Sequence, residues 1–107
     1  LDAASLQSDE RFCEGYIRAR SNRGFGPRRI RAELRERGLN DQHSGAALQS
    51  LELEWVSLAR AARTKKFGHN VPAGAEARFR QMRYLEYRGF THDQIQSAFV
   101  PAELDDC

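Results

Sequence analysis

Arg37-Gly38-Leu39 returns later in the chain as Arg88-Gly89-Phe90, and the same spacing sets Leu34 against Leu85, Ala47 against Ala98 and Leu48 against Phe99. A chain that states one pattern twice is constrained to fold as two copies of one unit. Upstream, Phe25-Gly26 is answered by Phe67-Gly68 at a shorter spacing, which pairs Cys13 with Trp55, Tyr16 with Leu58 and Ile17 with Ala59. The surplus residues fall within Gly68-His69-Asn70-Val71-Pro72-Ala73-Gly74. Each half therefore reads as helix, Phe-Gly turn, helix, Arg-Gly stop and short helix. Units of this kind bury part of their apolar side against a neighbour, so an all-α, elongated and curved array of tandem three-helix, helix-turn-helix-like repeats is expected.

No stretch alternates like a strand, and helical spacing of apolar residues appears six times. Phe12, Cys13, Tyr16 and Ile17 mark a first helix from about Asp9 to Asn22. The second begins at Pro27, a residue suited to the first helical position, carries Ile30 and Leu34 on one face and stops at Gly38. Ala46, Ala47, Leu48 and Leu51 mark a third, opened by Asn40 or Asp41 as N-cap. Trp55, Leu58, Ala59 and Ala62 mark a fourth, about Leu53 to Lys66, and Phe79, Met82 and Leu85 a fifth, about Gly74 to Arg88. Ile95, Ala98 and Phe99 mark a sixth. It opens on a capping box, Thr91-His92-Asp93-Gln94, with Phe90 placed to staple onto Ile95, and Pro101 marks its stop. Trp55, Phe79 and Phe99 are expected in the core. Residues 9–52 and 53–100 read as the two units, 1–8 as the remnant of a preceding one and 101–107 as an acidic tail. The chain does not start with Met, so it reads as a fragment.

Net charge is only +2, but its distribution is uneven. All 17 Lys and Arg lie between Arg11 and Arg88, and from Gly89 onward there are acids and no base. A basic body points to an anionic partner, either nucleic acid or an acidic protein surface. No apolar run approaches the ~20 residues of a membrane span, so no membrane association is expected. Cys13 and Cys107 make no disulfide framework, and a reducing cytoplasm is the simplest setting.

The residues give little to an enzyme. Gly24-Phe25-Gly26 lacks the Gly-Lys-Ser/Thr of a phosphate loop and follows a helix rather than a strand. His43, His69 and His92 stand apart from any Cys or carboxylate at ligand spacing. Cys13 faces a core, and Glu33 and Glu36 lie among arginines, where surface ion pairing explains them. No catalytic residue, metal, cofactor or small-molecule substrate is expected. The basic residues are the candidates instead. Arg28, Arg31 and Arg35 recur at spacings of three and four and form one stripe away from Ile30 and Leu34. Arg18, Arg20 and Arg23 gather toward the end of the preceding helix, Arg63, Lys65 and Lys66 repeat that cluster, and Arg78, Arg80 and Arg83 repeat the stripe. Guanidinium forks suit carboxylate or phosphate. Tyr84 and Tyr87 are expected to pack between repeats, with stacking on a base as the alternative. Helix-turn-helix geometry keeps direct DNA binding open as a second function.

Asp9, Phe12, Tyr16-Ile17, Arg20, Gly24-Phe25-Gly26-Pro27, Arg29-Ile30, Glu33-Leu34 and Arg37-Gly38 together resemble the central repeat of the RecX family. Lys66-Phe67-Gly68, Arg83-Tyr84-Leu85, Arg88-Gly89-Phe90 and Ile95 resemble its last repeat. Ser44 departs from the pattern, standing where the second half has Ile95. The resemblance implies a modular all-α protein that binds RecA filaments; single- or double-stranded DNA stays the alternative contact that the basic faces suggest. The resemblance also implies suppression of RecA ATP hydrolysis, strand exchange and coprotease activity, and so a role in DNA repair, recombination and the SOS response.

Overall fold

Three consecutive helices close on one small core, and the arrangement then repeats. In the computed structural model the described residues are 3–100, with side chains described from residue 9. The acidic tail, with Pro101 and Cys107, lies outside them. Six helices follow in order: α1 (Ala3–Asn22), α2 (Pro27–Glu36), α3 (Asp41–Leu51), α4 (Trp55–Phe67), α5 (Ala75–Arg88) and α6 (His92–Ala98). α1 begins six residues before the expected Asp9 and runs unbroken through 3–8. In the first unit α1 packs mainly on α3 with α2 bracing both, and in the second α4 packs mainly on α6 with α5 bracing both.

Each unit has its own core. Cys13, Ile17, Ile30, Leu34 and Ala47 fill the first. Ala59, Ala62, Leu85, Phe90, Ile95, Ala98 and Phe99 fill the second. Trp55 is half-buried and touches both, so it welds the units at the α3–α4 corner. The molecule measures 55 × 30 × 19 Å with a radius of gyration of 15.6 Å, against about 13 Å for a compact domain of this length. The array is elongated, as the repeat pattern predicts.

Local chemistry explains the helix ends. At the close of α2, Gly38 N–H donates to Arg35 O and Leu39 N–H to Leu34 O. At the close of α5, Gly89 N–H donates to Glu86 O and Phe90 N–H to Leu85 O. Both are Schellman stops with a left-handed glycine, Gly38 at φ 90° and Gly89 at φ 102°, a region in which a Cβ is strained. The caps that follow also match. Asn40 accepts from His43 N–H, and Thr91 and Gln94 form the full capping box. Ser44, the poor apolar choice, is nonetheless buried and turns its hydroxyl back to Asp41 O.

Two expectations fail. The Phe-Gly turns are not equivalent. In the first unit Gly24 is the left-handed stop (φ 91°), Phe25 follows it, and Gly26 is the extended N-cap of α2. In the second unit Phe67 is the last helical residue and Gly68 the stop (φ 95°), because α4 runs on by about one further turn. Phe79 is the second correction, being 60% exposed rather than buried. The inward face of α5 carries Gln81 and Leu85 instead. A polar residue holds the core position because a buried arginine supplies its hydrogen bond.

Candidate partner-binding surfaces

The two units meet main chain to main chain. Gly26 N–H donates to Arg88 O and Arg28 N–H to Gly89 O, both across the joint. A Cβ on Gly26 would lie 2.4 Å from Phe90 N, and one on Gly89 would lie 2.3 Å from Arg29 Cβ. Neither position has room for a side chain. Arg88 completes the joint by donating Nε to Gly24 O (3.1 Å) and Nη2 to Arg23 O, with its guanidinium 3.8 Å from the centre of the Phe25 ring.

Glu33 organises the first unit. Arg20 grips it with two hydrogen bonds, Nε to Oε1 (3.0 Å) and Nη2 to Oε2 (2.8 Å). The Tyr16 hydroxyl donates to Oε1 (2.9 Å) and Arg29 Nε to Oε2 (3.2 Å). Burial pushes the carboxyl up, but the hydrogen bonds from Arg20, Tyr16 and Arg29 outweigh it and hold it below the usual carboxylate range. The same hydrogen bond raises the Arg20 guanidinium further. Arg20 also lies over Phe25, 3.9 Å from its centre. Ion pairing accounts for Glu33, as its surroundings predict. Arg20 is thereby a structural residue, half-buried and committed to its own unit.

Arg63 requires a plainer correction. It is 3% exposed, so it cannot present its guanidinium to a partner. Its Nη1 donates to Gln81 Oε1 (3.2 Å) and Asn70 O (3.3 Å), and Nη2 to His69 O (3.5 Å). It ties the α4–α5 connection onto the second core. Burial, with Arg60 nearby, pushes its pKa down, though a guanidinium stays protonated near neutrality. Buried charges need partners of this sort, and here Nη1 and Nη2 have them while Nε is buried without one among the described residues. Burial also pushes the Cys13 thiol up, with Asp9, Glu10 and Glu14 adding to it, so this cysteine is an inert core residue.

The other candidates separate into three groups. Arg28, Arg31 and Arg35 do lie together, lining an open groove of about 780 Å³ where α2 meets α5, and Arg29 and Glu86 line it with them. Arg31 reaches Asp41 O at 3.4 Å and Arg35 pairs with the Asp41 carboxylate at 3.1 Å. Arg28 is exposed and makes no side-chain ion pair or hydrogen bond to the described residues. Arg23, Lys65 and Lys66, far apart in sequence, line one cleft of about 400 Å³ between the ends of α1 and α4. Arg18 is exposed on α1 and lines neither the groove nor the cleft.

On α5 the expected second stripe does not form. Arg78 turns inward over Phe99 at 4.7 Å, Arg80 pairs loosely with Glu76 at 3.8 Å, and Arg83 lies 5.7 Å from the Phe79 ring. Tyr84 packs edge-on against Phe67 within its own unit. Tyr87 is 71% exposed, with Arg29 of the first unit 5.0 Å from its ring. Of the two tyrosines, then, neither is buried between repeats. Of the side chains that do join them, Arg88 had only its place in the Arg-Gly repeat to mark it. No local pattern signals a contact that depends on where the neighbouring unit sits.

The family model described as RecX, second three-helix domain, matches residues 8–48. That for RecX, third three-helix domain, matches residues 52–99. The chain belongs to the RecX family. The Regulatory protein RecX of Halorhodospira halophila is 43% identical over 106 residues, which cover 99% of this chain and 66% of that protein. The one from Serratia proteamaculans is 38% identical over 91 residues, covering 85% and 54% respectively. That of Yersinia pseudotuberculosis is 37% identical over 92 residues, covering 86% and 50%. The chain thus spans between half and two thirds of the length of these curated relatives. The RecX-like motif residues Tyr16, Arg20, Phe25, Gly26, Glu33 and Gly89 all serve the fold, building the Glu33 network and the joint. RecX is a family of regulatory proteins by name, and no helix among the described residues is long and apolar enough to cross a membrane.

Proposed function

We propose that this RecX-family chain docks on RecA nucleoprotein filaments in the cytoplasm and inhibits RecA ATPase, strand exchange and coprotease activity. The observation that carries this reading is the α2 groove. Four arginines line it, with Glu86, on an array 55 Å long, and Arg28 among them has its guanidinium free of the described residues. An extended rigid array with a repeated step suits a partner that is itself a repeating polymer. The name that the relatives carry, regulatory protein, agrees with a role exerted on another macromolecule.

Direct contact with single-stranded nucleic acid is the second reading, favoured by the outer face of α5. Phe79 and Tyr87 are exposed there with Arg83 between them at helical spacing, and aromatic rings interleaved with guanidinium groups suit stacking on bases. Groove reading by α2 has less support. A recognition helix contacts bases with its N-terminal residues, and here that end is hydrogen-bonded to Arg88 and Gly89.

Binding to RecA–single-strand filaments and to naked single- and double-stranded DNA across a salt series separates the two. The filament is expected to be preferred at every salt concentration; equal affinity with a steep salt slope would overturn the regulator reading. Arg28→Ala combined with Arg31→Ala is expected to weaken inhibition of RecA ATPase by about tenfold, roughly 1.4 kcal/mol. Undiminished inhibition by the folded double variant would remove the stripe from the site.

A further inference from the structure

The cleft between the ends of α1 and α4 has a composition that the α2 groove lacks. Its cations come from two places far apart in sequence, Arg23 on one side and Lys65 and Lys66 on the other. Arg88 stands behind them, already committed to the Arg23 and Gly24 carbonyls. Among the described residues no carboxylate lines the cleft. Arg23 and Lys65 are exposed and make no side-chain hydrogen bond or ion pair to the described residues; Lys66 rests 5.6 Å from the Tyr84 ring. Between the cations the surface is apolar, formed by Leu58, Ala61 and Ala62 of α4.

These features select among anions. A phosphate backbone needs a polar, cation-lined track, and it gains nothing from an aliphatic floor. A protein segment that carries an apolar side chain between carboxylates uses both. Its apolar group covers Leu58 and Ala61, and its acids meet Arg23, Lys65 and Lys66. Small pockets that accept one anchor side chain, rimmed by charges that set orientation, are where protein interfaces concentrate their binding energy. The volume of about 400 Å³ admits one such side chain with its flanking residues and falls at the low end for ligand pockets.

We propose that this inter-repeat cleft is an anchor site for an acidic–apolar peptide segment of a protein partner, a leucine-type side chain flanked by Asp or Glu. The proposal rests on reading the chain as a protein-binding array, and it adds a second contact on a different surface from the α2 groove. Because both walls must be present to place the cations, the site exists only while the two units are docked. The joint at Gly26 and Gly89 is therefore part of the site's construction.

The test uses the chain alone, without RecA. A fluorescein-labelled synthetic peptide of about ten residues, with a central Leu between Asp and Glu residues, is titrated by anisotropy at physiological salt. It is expected to bind in the micromolar range. Replacing its acids with Asn and Gln, or its Leu with Ser, should weaken binding by about tenfold and about fivefold. Lys65→Glu with Lys66→Glu should abolish it. Ala61→Trp, which fills the cleft from an exposed position without changing charge, should do the same while far-UV circular dichroism and the melting temperature hold. Absence of binding by the natural chain would overturn the proposal. So would indifference to the Leu→Ser change, or displacement of the peptide by an equal concentration of oligothymidylate, since either describes a general polyanion surface. Peptide binding without filament binding would overturn the RecA reading and leave the cleft standing; filament binding without peptide binding would do the reverse.

Discussion

The two units share a frame and differ in how each accommodates an arginine turned inward. In the first unit Arg20 meets a carboxylate, Glu33, itself held by Tyr16 and Arg29. In the second unit Arg63 is more deeply buried and meets only neutral acceptors, Gln81 and two backbone carbonyls. The stops and caps coincide: Gly38 with Gly89, Asn40 with Thr91, Leu34 with Leu85. The comparison teaches that in such an array a basic residue's availability is decided by its local acceptors, not by its membership of a basic run. Arg20, Arg63 and Arg78 are drawn in, whereas Arg18, Arg23 and Arg28 stay out.

The largest expected effect tests whether equivalent glycines do equivalent jobs. Gly38 and Gly89 have the same left-handed backbone, but only Gly89 lies against the other unit. Gly89→Ala should cost about 3 kcal/mol or more, from strain plus a clash with Arg29 that backbone movement must relieve. Gly38→Ala should cost only about 1 kcal/mol, since open space surrounds it. Urea denaturation measures both, and equal losses would mean that the main-chain joint contributes nothing.

Removing the inward arginines comes next. Arg63→Ala strands Gln81 and two carbonyls in or near the core and should cost about 2–3 kcal/mol. Arg20→Ala, at a partly solvated pair, should cost about 1–2 kcal/mol. The reverse order would show that the carboxylate-based arrangement is the stronger.

The same contrast can be read by pH. The Glu33 carboxyl lies below its ordinary value when folded, so its contribution is complete above the unfolded pKa of about 4.3. It disappears as pH falls through the lower folded value, because protonation then removes the charge that Arg20 grips. Glu33→Gln should therefore be less stable than the natural chain at pH 7 by about 1–2 kcal/mol. That gap should narrow below about pH 4. A gap that stays constant from pH 7 to pH 3 would exclude a role for the ionised carboxylate.

The smallest effect concerns the corner between the units. Glu52, the C-cap of α3, sits at φ 48° without being glycine. Glu52→Gly should relieve that strain and stabilise by about 0.5 kcal/mol, offset in part by added freedom of the unfolded chain. A lower melting temperature would show that the Glu52 side chain contributes more than its backbone costs.

How much of this was legible beforehand follows the range of each interaction. The stops at Gly38 and Gly89, the Asn40 cap and the Thr91 capping box depend on residues within one or two turns, so they can be read from spacing. The face of α5 could not be, because Gln81 enters the core only through Arg63, a residue of another helix. The Phe-Gly match misled for a related reason. Identical dipeptides sit two positions apart in conformation because α4 runs on into its Phe-Gly pair whereas α1 stops before its own, and letters alone do not record where a helix ends. For the surfaces, the α2 stripe was legible from helical spacing, while the cleft was not, since Arg23 and Lys65 become neighbours only after two units dock.

Gly26 and Gly89 have one more consequence. Because the units touch through main chain at these two glycines, with no space for a side chain at either, exposed side chains have little part in setting their mutual angle. The array has a fixed pitch. Substitution can redecorate its outward surfaces and change what it grips, while the step from one unit to the next keeps its length and turn.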